Sequence, residues 1–202
     1  IIVDIIGTLN TQKQKINVIG FLDDDFEKHG SIFCGYKVLG DINYLKKSKN
    51  ISIIIGFADS IQRKSCYELI ESFDTDINYL TIISPHAVLS PSVTVGKGST
   101  VFAGVVIDPD VCLGDFCQVN KLVSLGHDSV VDNFVTISPG VNIGGFNHLF
   151  EGCFIGLGSC TIQKVNIGLQ SKIGAGAVVI NDVPDYAVVV GNPAKIIKYN
   201  EK

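Results

Sequence analysis

The sequence contains no methionine and no tryptophan, and its six cysteines include no Cys-x-x-Cys pair. Scattered cysteines in a chain of 202 residues argue against a disulfide framework, so we expect reduced thiols and a cytoplasmic protein. No apolar run approaches the roughly 20 residues that a membrane-spanning helix needs. With 16 basic against 20 acidic residues, the chain also lacks the positive field that holds a nucleic-acid backbone. We therefore expect a soluble protein with no membrane and no nucleic-acid partner.

A six-residue repeat of aliphatic residues runs through the second half of the chain. Every sixth position from Leu89 to Val179 is aliphatic in fifteen of sixteen cases, and Thr161 is the exception. An α-helix returns to the same face every 3.6 residues and a strand every two, so this period fits neither a long helix nor a long strand. It predicts a solenoid of short strands with three faces and eighteen residues per coil.

Each hexamer shows two further regularities. The residue two places before the aliphatic position is usually small or β-branched, as at Ser99, Val105 and Cys117, which predicts a second inward row with less room. Glycine or another turn-forming residue usually follows the aliphatic position directly, as at Gly114 and Gly126. We expect these residues to supply the unusual backbone angles of sharp corners.

Residues 1–83 lack the six-residue period and have instead the pattern of alternating strands and helices. Strands are predicted at 18–22, 51–55 and 78–83, with a helix capped by Ser60 between the last two, which is typical of a small α/β unit with a parallel sheet. Ligands of such sheets gather beyond the carboxyl ends of the strands, where Asp23, Asp24 and Gly56 would lie. From the residues alone, a solvated turn and a simple strand end are the favoured alternatives.

The chain divides into an α/β unit at 1–83, a β-helix at 84–190 and a C-terminal tail at 191–202. The apolar opening at residues 1–6 is predicted as a helix. In an α/β unit such a helix follows a strand and a glycine-rich phosphate-binding loop. We therefore expect both to lie upstream of Ile1.

His127 is the strongest candidate for a catalytic residue. It follows Gly126 at a predicted corner and precedes Asp128, whose carboxylate can orient the imidazole and raise its basicity. A reachable, oriented imidazole suits a general base, although an idle surface pair is the commoner alternative. A zinc site would need three convergent ligands, and His148, 21 residues further on, does not fall in the same column as His127.

Six segments carry a resemblance to a known family: Phe21-Leu22-Asp23-Asp24, Ile53-Ile54-Ile55-Gly56, Gly126-His127-Asp128-Ser129-Val130-Val131, Ile137-Ser138-Pro139-Gly140, Gly174-Ala175-Gly176-Ala177 and Gly191-Asn192-Pro193-Ala194-Lys195. In this order they resemble the bacterial sugar acetyltransferases of the NeuD and PglD type, which have hexapeptide repeats. The resemblance covers nearly the whole chain. It implies a Rossmann-like α/β domain followed by a left-handed parallel β-helix.

The resemblance also implies roles for particular residues, with acetyl-CoA as co-substrate and no metal. His127 is implied as the general base and Asp128 as its orienting acid, in a homotrimer with active sites between subunits. The nucleotide-linked sugar would be bound by Asp23, Asp24 and Gly56. The coenzyme would be bound by Thr136, Gly145, Leu157 and Ala175. Thr136 stands where many relatives carry a second histidine near the acetyl carbonyl, and we expect either backbone donors or the Thr136 hydroxyl to donate to the oxyanion.

The function implied is N-acetylation of a nucleotide-linked amino sugar, by expectation a 4-amino-4,6-dideoxy sugar. O-acetylation of a sialic acid or of another sugar hydroxyl is the alternative within the same fold. From other classes, a metal protein like the γ-carbonic anhydrases and a non-catalytic trimeric scaffold stay open. Nucleophilic catalysis by cysteine is less favoured, because Cys117 and Cys153 fall in the inward row.

Overall fold

The computed structural model describes residues 2–11, 15–73 and 75–200. From Ile82 onward the chain forms a three-sided parallel β-helix. Strands of two residues pair in parallel with the strand eighteen residues away, as in Val106 with Ser124 and Cys112 with Val130. This register confirms the three predicted columns and is consistent with the predicted left-handed parallel β-helix.

The strands stack into three sheets, which we call faces 1, 2 and 3 in the order in which each coil visits them. Face 1 comprises Val88–Leu89, Val106–Ile107, Ser124–Leu125, Asn142–Ile143, Cys160–Thr161 and Val178–Val179. Face 2 comprises Thr94–Val95, Cys112–Leu113, Val130–Val131, His148–Leu149 and Asn166–Ile167. Face 3 comprises Ile82–Ile83, Thr100–Val101, Gln118–Val119, Thr136–Ile137, Phe154–Ile155 and Lys172–Ile173.

Face 3 continues beyond the repeat. Ala187–Val190 adds a parallel strand next to Lys172–Ile173, and Lys195–Tyr199 then pairs antiparallel with Ala187–Val190. The predicted tail at 191–202 is therefore partly a sheet strand, and residues 201 and 202 lie outside the described residues. The β-helix also begins at Ile82, two residues before the predicted boundary at 84.

The interior of the β-helix consists of two kinds of buried row, as the repeat predicts. The aliphatic row is almost free of solvent contact, and the small row includes Val105, Cys117, Val135 and Cys153, each completely buried. Asn147 occupies a place in the small row, where its amide donates to the carbonyl oxygens of Gly144 and Ile162. Burial of apolar surface stabilises by about 25 cal/mol per Å², so stacked coils, rather than any single strand, hold the prism together.

The glycines after the aliphatic positions have a different purpose from the one predicted. The left-handed backbone angles lie two residues later, at positions such as Phe116 and Asp128. Gly114 is instead required because the next coil passes too close. A Cβ at this position would lie 2.8 Å from the carbonyl carbon of Asp132. The prediction of unusual angles at these glycines is therefore wrong, and close approach of backbones is the physical reason for them.

The N-terminal unit is not the single parallel sheet of the Rossmann-like prediction. Phe21–Leu22, Ile32–Phe33 and Tyr36–Gly40 form a mixed three-stranded sheet, and Ser52–Ile53 pairs in parallel with Asn78–Tyr79 in a separate sheet. The predicted third strand at 78–83 is divided, because its first half belongs to this unit and Ile82–Ile83 is the first strand of face 3.

The described part of the N-terminal unit also contains α1 at Ile2–Thr11, 3-10 turns at Phe26–Lys28 and Ile42–Lys47, and α2 at Ser60–Glu71. The predicted helix at 1–6 is thus longer than expected, and Ile1 lies outside the described residues. Asp59, rather than Ser60, caps α2, because its carboxylate accepts from the N–H groups of Ile61 and Gln62. None of these helices has the length and apolar character needed to cross a membrane.

The N-terminal unit packs on face 3 and on the corner between faces 2 and 3. Tyr67 and Tyr79 lie against Phe116 and Phe134, whose rings are stacked 5.1 Å apart at that corner. The hydroxyl of Ser60 donates to the carbonyl of Gly152 at 2.8 Å. The unit is therefore anchored to the β-helix by both apolar and polar contacts.

Two substitutions test whether a glycine is required because the next coil passes close to it or because of its backbone angle. Gly114→Ala places a Cβ against the next coil's backbone and should destabilise the fold by about 1–3 kcal/mol or more. Gly158→Asn fills open space at a φ of +63°, which Asn tolerates, and should cost less than about 1 kcal/mol. Denaturant unfolding at matched protein concentration measures both. Equal losses would contradict the close-approach explanation.

Candidate active site

His127 and Asp128 lie together at the corner between faces 1 and 2. The imidazole Nδ1 is 2.7 Å from the Oδ2 of Asp128, and the side chains are 53% and 44% exposed. Asp128 has a φ of +57°, so it occupies the left-handed position of this corner, which aspartate tolerates better than most residues. The corner thus holds an oriented imidazole at an accessible edge.

Gly145 and Phe146 lie one coil above and fix the environment of the imidazole. A Cβ on Gly145 would come within 2.9 Å of the Nε2 of His127, so any larger residue there would collide with the ring. The ring of Phe146 meets the imidazole edge to face at 5.0 Å, and its backbone N–H donates to the carbonyl of His127 at 2.9 Å. With Nδ1 engaged by Asp128, Nε2 is the nitrogen on the side of Gly145.

Leu157 and Ala175 lie at a different corner, the one between faces 3 and 1. They are eighteen residues apart and therefore stack in consecutive coils, with the carbonyl of Leu157 accepting from the N–H of Gly176 at 2.8 Å. The structure does not bring them to His127. Face 1 separates the two corners and carries the outward side chains Ser124 and Asn142, which are hydrogen-bonded to each other at 2.8 Å.

The acidic residues of the N-terminal unit are already engaged within their own loop. Asp23 lies 2.9 Å from the Nζ of Lys28 and also accepts from the N–H of Asp25, and these bonds lower the pKa of its carboxyl. Asp24 accepts from the N–H of Ile42 at 3.2 Å. Gly56 is exposed, and apart from its chain neighbours no described residue has an atom within 4 Å of the position that a Cβ would take. Their role in binding a nucleotide-linked sugar stays a prediction.

The structure separates the N-terminal unit from His127 within one subunit. The unit covers face 3, where Gln118 donates to the carbonyl of Phe57 at 3.0 Å. Faces 1 and 2 meet at His127, and in a three-sided prism that corner lies opposite face 3. The predicted sugar-binding residues and the predicted general base are therefore on opposite sides of the same β-helix.

The structure gives Thr136 a different role from the expected oxyanion donor. Its side chain is 2% exposed, and its hydroxyl donates to the carbonyl of Ala58 at 2.9 Å. The same oxygen accepts from Arg63 at 2.9 Å. Because the single hydroxyl hydrogen is already committed, we no longer assign the oxyanion to Thr136.

Arg63 and Asn147 were not identified from the sequence, and both act through long-range contacts. Asp132 pairs with His148 on face 2, at an Nε2–Oδ1 distance of 3.0 Å and away from the His127 corner. Asn147 braces the turn beside His127 by bonding the carbonyls of Gly144 and Gly145. An asparagine in an otherwise small or β-branched inward row was the available signal for it. Among residues 2–11, 15–73 and 75–200, no three His, Cys, Asp or Glu side chains form a group that could hold a metal.

Comparison with known proteins gives one sequence family and several related structures. The family described as hexapeptide repeat of succinyl-transferase matches residues 87–109 and 151–180. The acetyltransferase domain of PglB from Neisseria gonorrhoeae, solved in complex with acetyl coenzyme A, is 32% identical over 97% of this chain and 92% of its own, with a TM-score of 0.88. The chain belongs to the NeuD/PglD-type sugar acetyltransferases of the hexapeptide-repeat family.

Two further relatives show the range of this hexapeptide-repeat family. PerB from Caulobacter crescentus, solved in complex with CoA and GDP-perosamine, is 28% identical over 96% of this chain and 91% of its own, with a TM-score of 0.85. The serine acetyltransferase of Bacillus subtilis is 31% identical over 118 residues, or 54% of each chain. This hexapeptide-repeat protein thus spans about half the length of that curated relative.

Two thiols of this hexapeptide-repeat protein are poorly placed for nucleophilic catalysis. Cys117 and Cys153 are completely buried, and burial raises the pKa of Cys117 to about 12 and that of Cys153 well above its ordinary value. Because the thiolate is the nucleophile, both groups are unreactive near neutral pH. Cys34 is exposed in the N-terminal unit, away from the His127 corner.

Alkylation kinetics test this difference between the thiols. At about pH 8, iodoacetamide should modify Cys34 at least tenfold faster than Cys117 or Cys153, because burial disfavours their thiolates. Peptide mass spectrometry over a time course gives the three rates, and denatured protein supplies the control in which the rates converge. Rapid labelling of Cys117 in the native protein would contradict the burial of its thiol.

Proposed function

We propose that this protein is an acetyl-CoA-dependent N-acetyltransferase acting on a nucleotide-linked amino sugar, with His127 as general base. The observation that carries the proposal is the imidazole held at Nδ1 by Asp128, with Nε2 beside Gly145 and the His127 side chain 53% exposed. The finer expectation of a 4-amino-4,6-dideoxy sugar belongs to the same proposal.

His127 supplies the proton transfer in the proposed reaction. The sugar amine attacks the thioester carbonyl carbon of acetyl-CoA while Nε2 of His127 takes the proton that the amine loses. The carboxylate of Asp128, 2.7 Å from Nδ1, stabilises the resulting imidazolium. As the C–S bond breaks, the coenzyme thiolate leaves and takes the proton from the imidazolium of His127, so the products are the N-acetyl sugar and coenzyme A. No acyl-enzyme is required.

The oxyanion would be stabilised by the backbone rather than by a side chain. The backbone N–H of Gly145 donates no hydrogen bond to any part of the chain that the structure describes, and it lies one coil above His127. A free N–H close to the base is the type of donor that stabilises developing negative charge on a carbonyl oxygen. We assign this role to Gly145 in place of Thr136.

The coenzyme and the sugar have separate supports. The gonococcal PglB domain is described in complex with acetyl coenzyme A, which favours acetyl-CoA here, along face 1 between Gly145 and the corner of Leu157 and Ala175. PerB is described with GDP-perosamine, which favours a nucleotide-linked sugar at Asp23, Asp24 and Gly56. Gly56 follows the parallel strand Ser52–Ile53, where α/β sheets usually bind ligands.

The proposed active site requires more than one subunit. The N-terminal unit covers face 3, whereas His127 lies at the opposite corner of the prism. A sugar held by Gly56 would therefore be acetylated through His127 of another copy. A homotrimer with its sites between subunits, as the family resemblance implies, satisfies this requirement.

Activity on a defined panel tests the proposed reaction. Wild-type protein should release coenzyme A from acetyl-CoA with GDP-perosamine or another nucleotide-linked 4-amino sugar, and not with free sialic acid or L-serine. His127→Ala should lower the rate by about 10²–10⁴, because proton transfer by a positioned base contributes that much. Thiol release, followed with a chromogenic disulfide, measures both effects.

His148→Ala is the matched control for this loss. His148 also pairs with an aspartate, 3.0 Å away, but it lies on face 2 and not at the His127 corner. Its replacement should leave the rate within about twofold, since it has no part in the proposed proton transfer. Full activity in His127→Ala would remove this residue from the mechanism. Preference for sialic acid would favour O-acetylation.

Mixed subunits test whether the site is shared. Gly56→Tyr adds its side chain at a position whose Cβ site is open and should block the proposed sugar site, whereas His127→Ala removes the base. Each variant alone should be inactive. In trimers co-refolded from equal amounts, about a quarter of the sites should combine an intact loop with an intact base from another subunit. The recovered rate of thiol release measures this fraction, and the absence of recovery would place each site within one subunit.

A further inference from the structure

The backbone carbonyls of Phe57 and Ala58 each accept two hydrogen bonds from side chains. Gln118 donates to the carbonyl of Phe57 at 3.0 Å, and Thr136 donates to that of Ala58 at 2.9 Å. Arg63 donates from Nη1 to both carbonyls, at 2.6 and 3.2 Å. Two residues of the β-helix and one of α2 therefore hold two consecutive peptide groups.

Arg63 links the loop to the β-helix from the interior. Its side chain is 1% exposed, and burial lowers the pKa of its guanidinium to about 10, so that it stays charged at neutral pH. All six of its hydrogen-bond acceptors are neutral oxygens: the carbonyls of Phe57, Ala58, Phe116, Phe134 and Val135 and the hydroxyl of Thr136. The buried guanidinium keeps these oxygens in fixed relative positions. If they moved away, its charge would be left without hydrogen-bond partners, which costs free energy.

The two β-helix residues are neighbours on face 3. Gln118 and Thr136 pair directly in the parallel register, so their side chains point outward in consecutive coils. Thr100, the next residue down the same column, is equally buried, but its hydroxyl has no hydrogen-bond partner among the described residues. Hydrogen bonding to the loop is thus a property of Gln118 and Thr136, not of every polar residue on this face.

The residues held in this way border the proposed sugar site. Gly56 precedes Phe57 directly and leaves open space at the end of the strand Ser52–Ile53. The side chain of Phe57 is 44% exposed, and its backbone carbonyl accepts the hydrogen bond from Gln118 of the β-helix. Fixing the Phe57 and Ala58 peptides therefore fixes the surface against which a ligand at Gly56 would bind.

We propose that Gln118, Thr136 and Arg63 are positioning residues for the acceptor site, holding the Gly56–Ala58 loop in its binding conformation. This inference rests on the proposed function. Preorganising a loop improves affinity because the bound ligand need not supply the ordering free energy. The acceptor should therefore depend on these bonds, whereas acetyl-CoA, which is assigned to face 1, should not.

Conservative substitutions in the full chain test this role. Thr136→Val and Gln118→Leu remove the two donors while roughly keeping side-chain volume, and the double variant should raise KM for GDP-perosamine about tenfold. KM for acetyl-CoA and kcat should stay within about twofold, because neither depends on the loop. Thr136→Ser keeps the hydroxyl and should restore the wild-type KM. Arg63 is left intact, since its removal endangers folding.

Thr100→Val is the matched control. It makes the same substitution in the same column, at a hydroxyl that has no hydrogen-bond partner among the described residues. It should leave KM for GDP-perosamine unchanged. An active wild type whose double variant keeps the wild-type KM would overturn the positioning role, as would an equal rise in KM for acetyl-CoA. A wild type that acetylates no panel acceptor would instead overturn the proposed function, and this inference with it.

Discussion

Parallel hydrogen bonding at an offset of eighteen residues is the constraint on which the rest of this structure depends. Each strand contributes only two residues, and a strand of that length has no stability of its own. Stability comes from stacking, because every coil buries its aliphatic residues against the equivalent residues of its neighbours. The interior is consequently filled with buried side chains that no substrate can reach, and functional side chains must lie on the outward rows or at the corners.

The corner geometry explains how a histidine and an aspartate become a pair with so little supporting structure. The residue after His127 must adopt a left-handed backbone, and aspartate is one of the few residues that do so at small cost. In that conformation its carboxylate lies 2.7 Å from the preceding imidazole. The next coil must then leave room for the ring, and Gly145 does so. The repeat therefore supplies both the pair and the space beside it.

The sequence predicted the β-helix well because every coil imposes the same demand on the same positions. The pairing of His127 with Asp128 was also accessible, since the two residues are adjacent. The N-terminal sheets were not, because strands such as Ser52–Ile53 are too short to show alternation and the apolar run at 78–83 serves two different sheets.

Long-range polar contacts were also beyond the sequence. Arg63 bonds the carbonyl of Phe116, 53 positions away, and a carbonyl oxygen carries no sequence signal. Thr136 was misassigned for the same reason, because the repeat shows that its side chain points outward but not what covers it. The way in which the N-terminal unit sits on face 3 therefore had to come from the structure.

The docking of the N-terminal unit also determines how far the Gly56 loop lies from His127 of the same subunit. The guanidinium of Arg63 is buried between the loop that precedes α2 and the corner between faces 2 and 3, and carbonyl oxygens of both compensate its charge. If the unit moved toward another face, it would leave this charge without its partners. The loop at Gly56 is thereby kept on the side of the prism opposite its own His127. A flexible linker would allow the Gly56 loop to reach His127 of its own subunit, whereas the buried guanidinium of Arg63 fixes the loop on face 3. In the proposed reaction, the contact that shapes the Gly56–Ala58 loop is thus the same contact that calls for His127 of a second subunit.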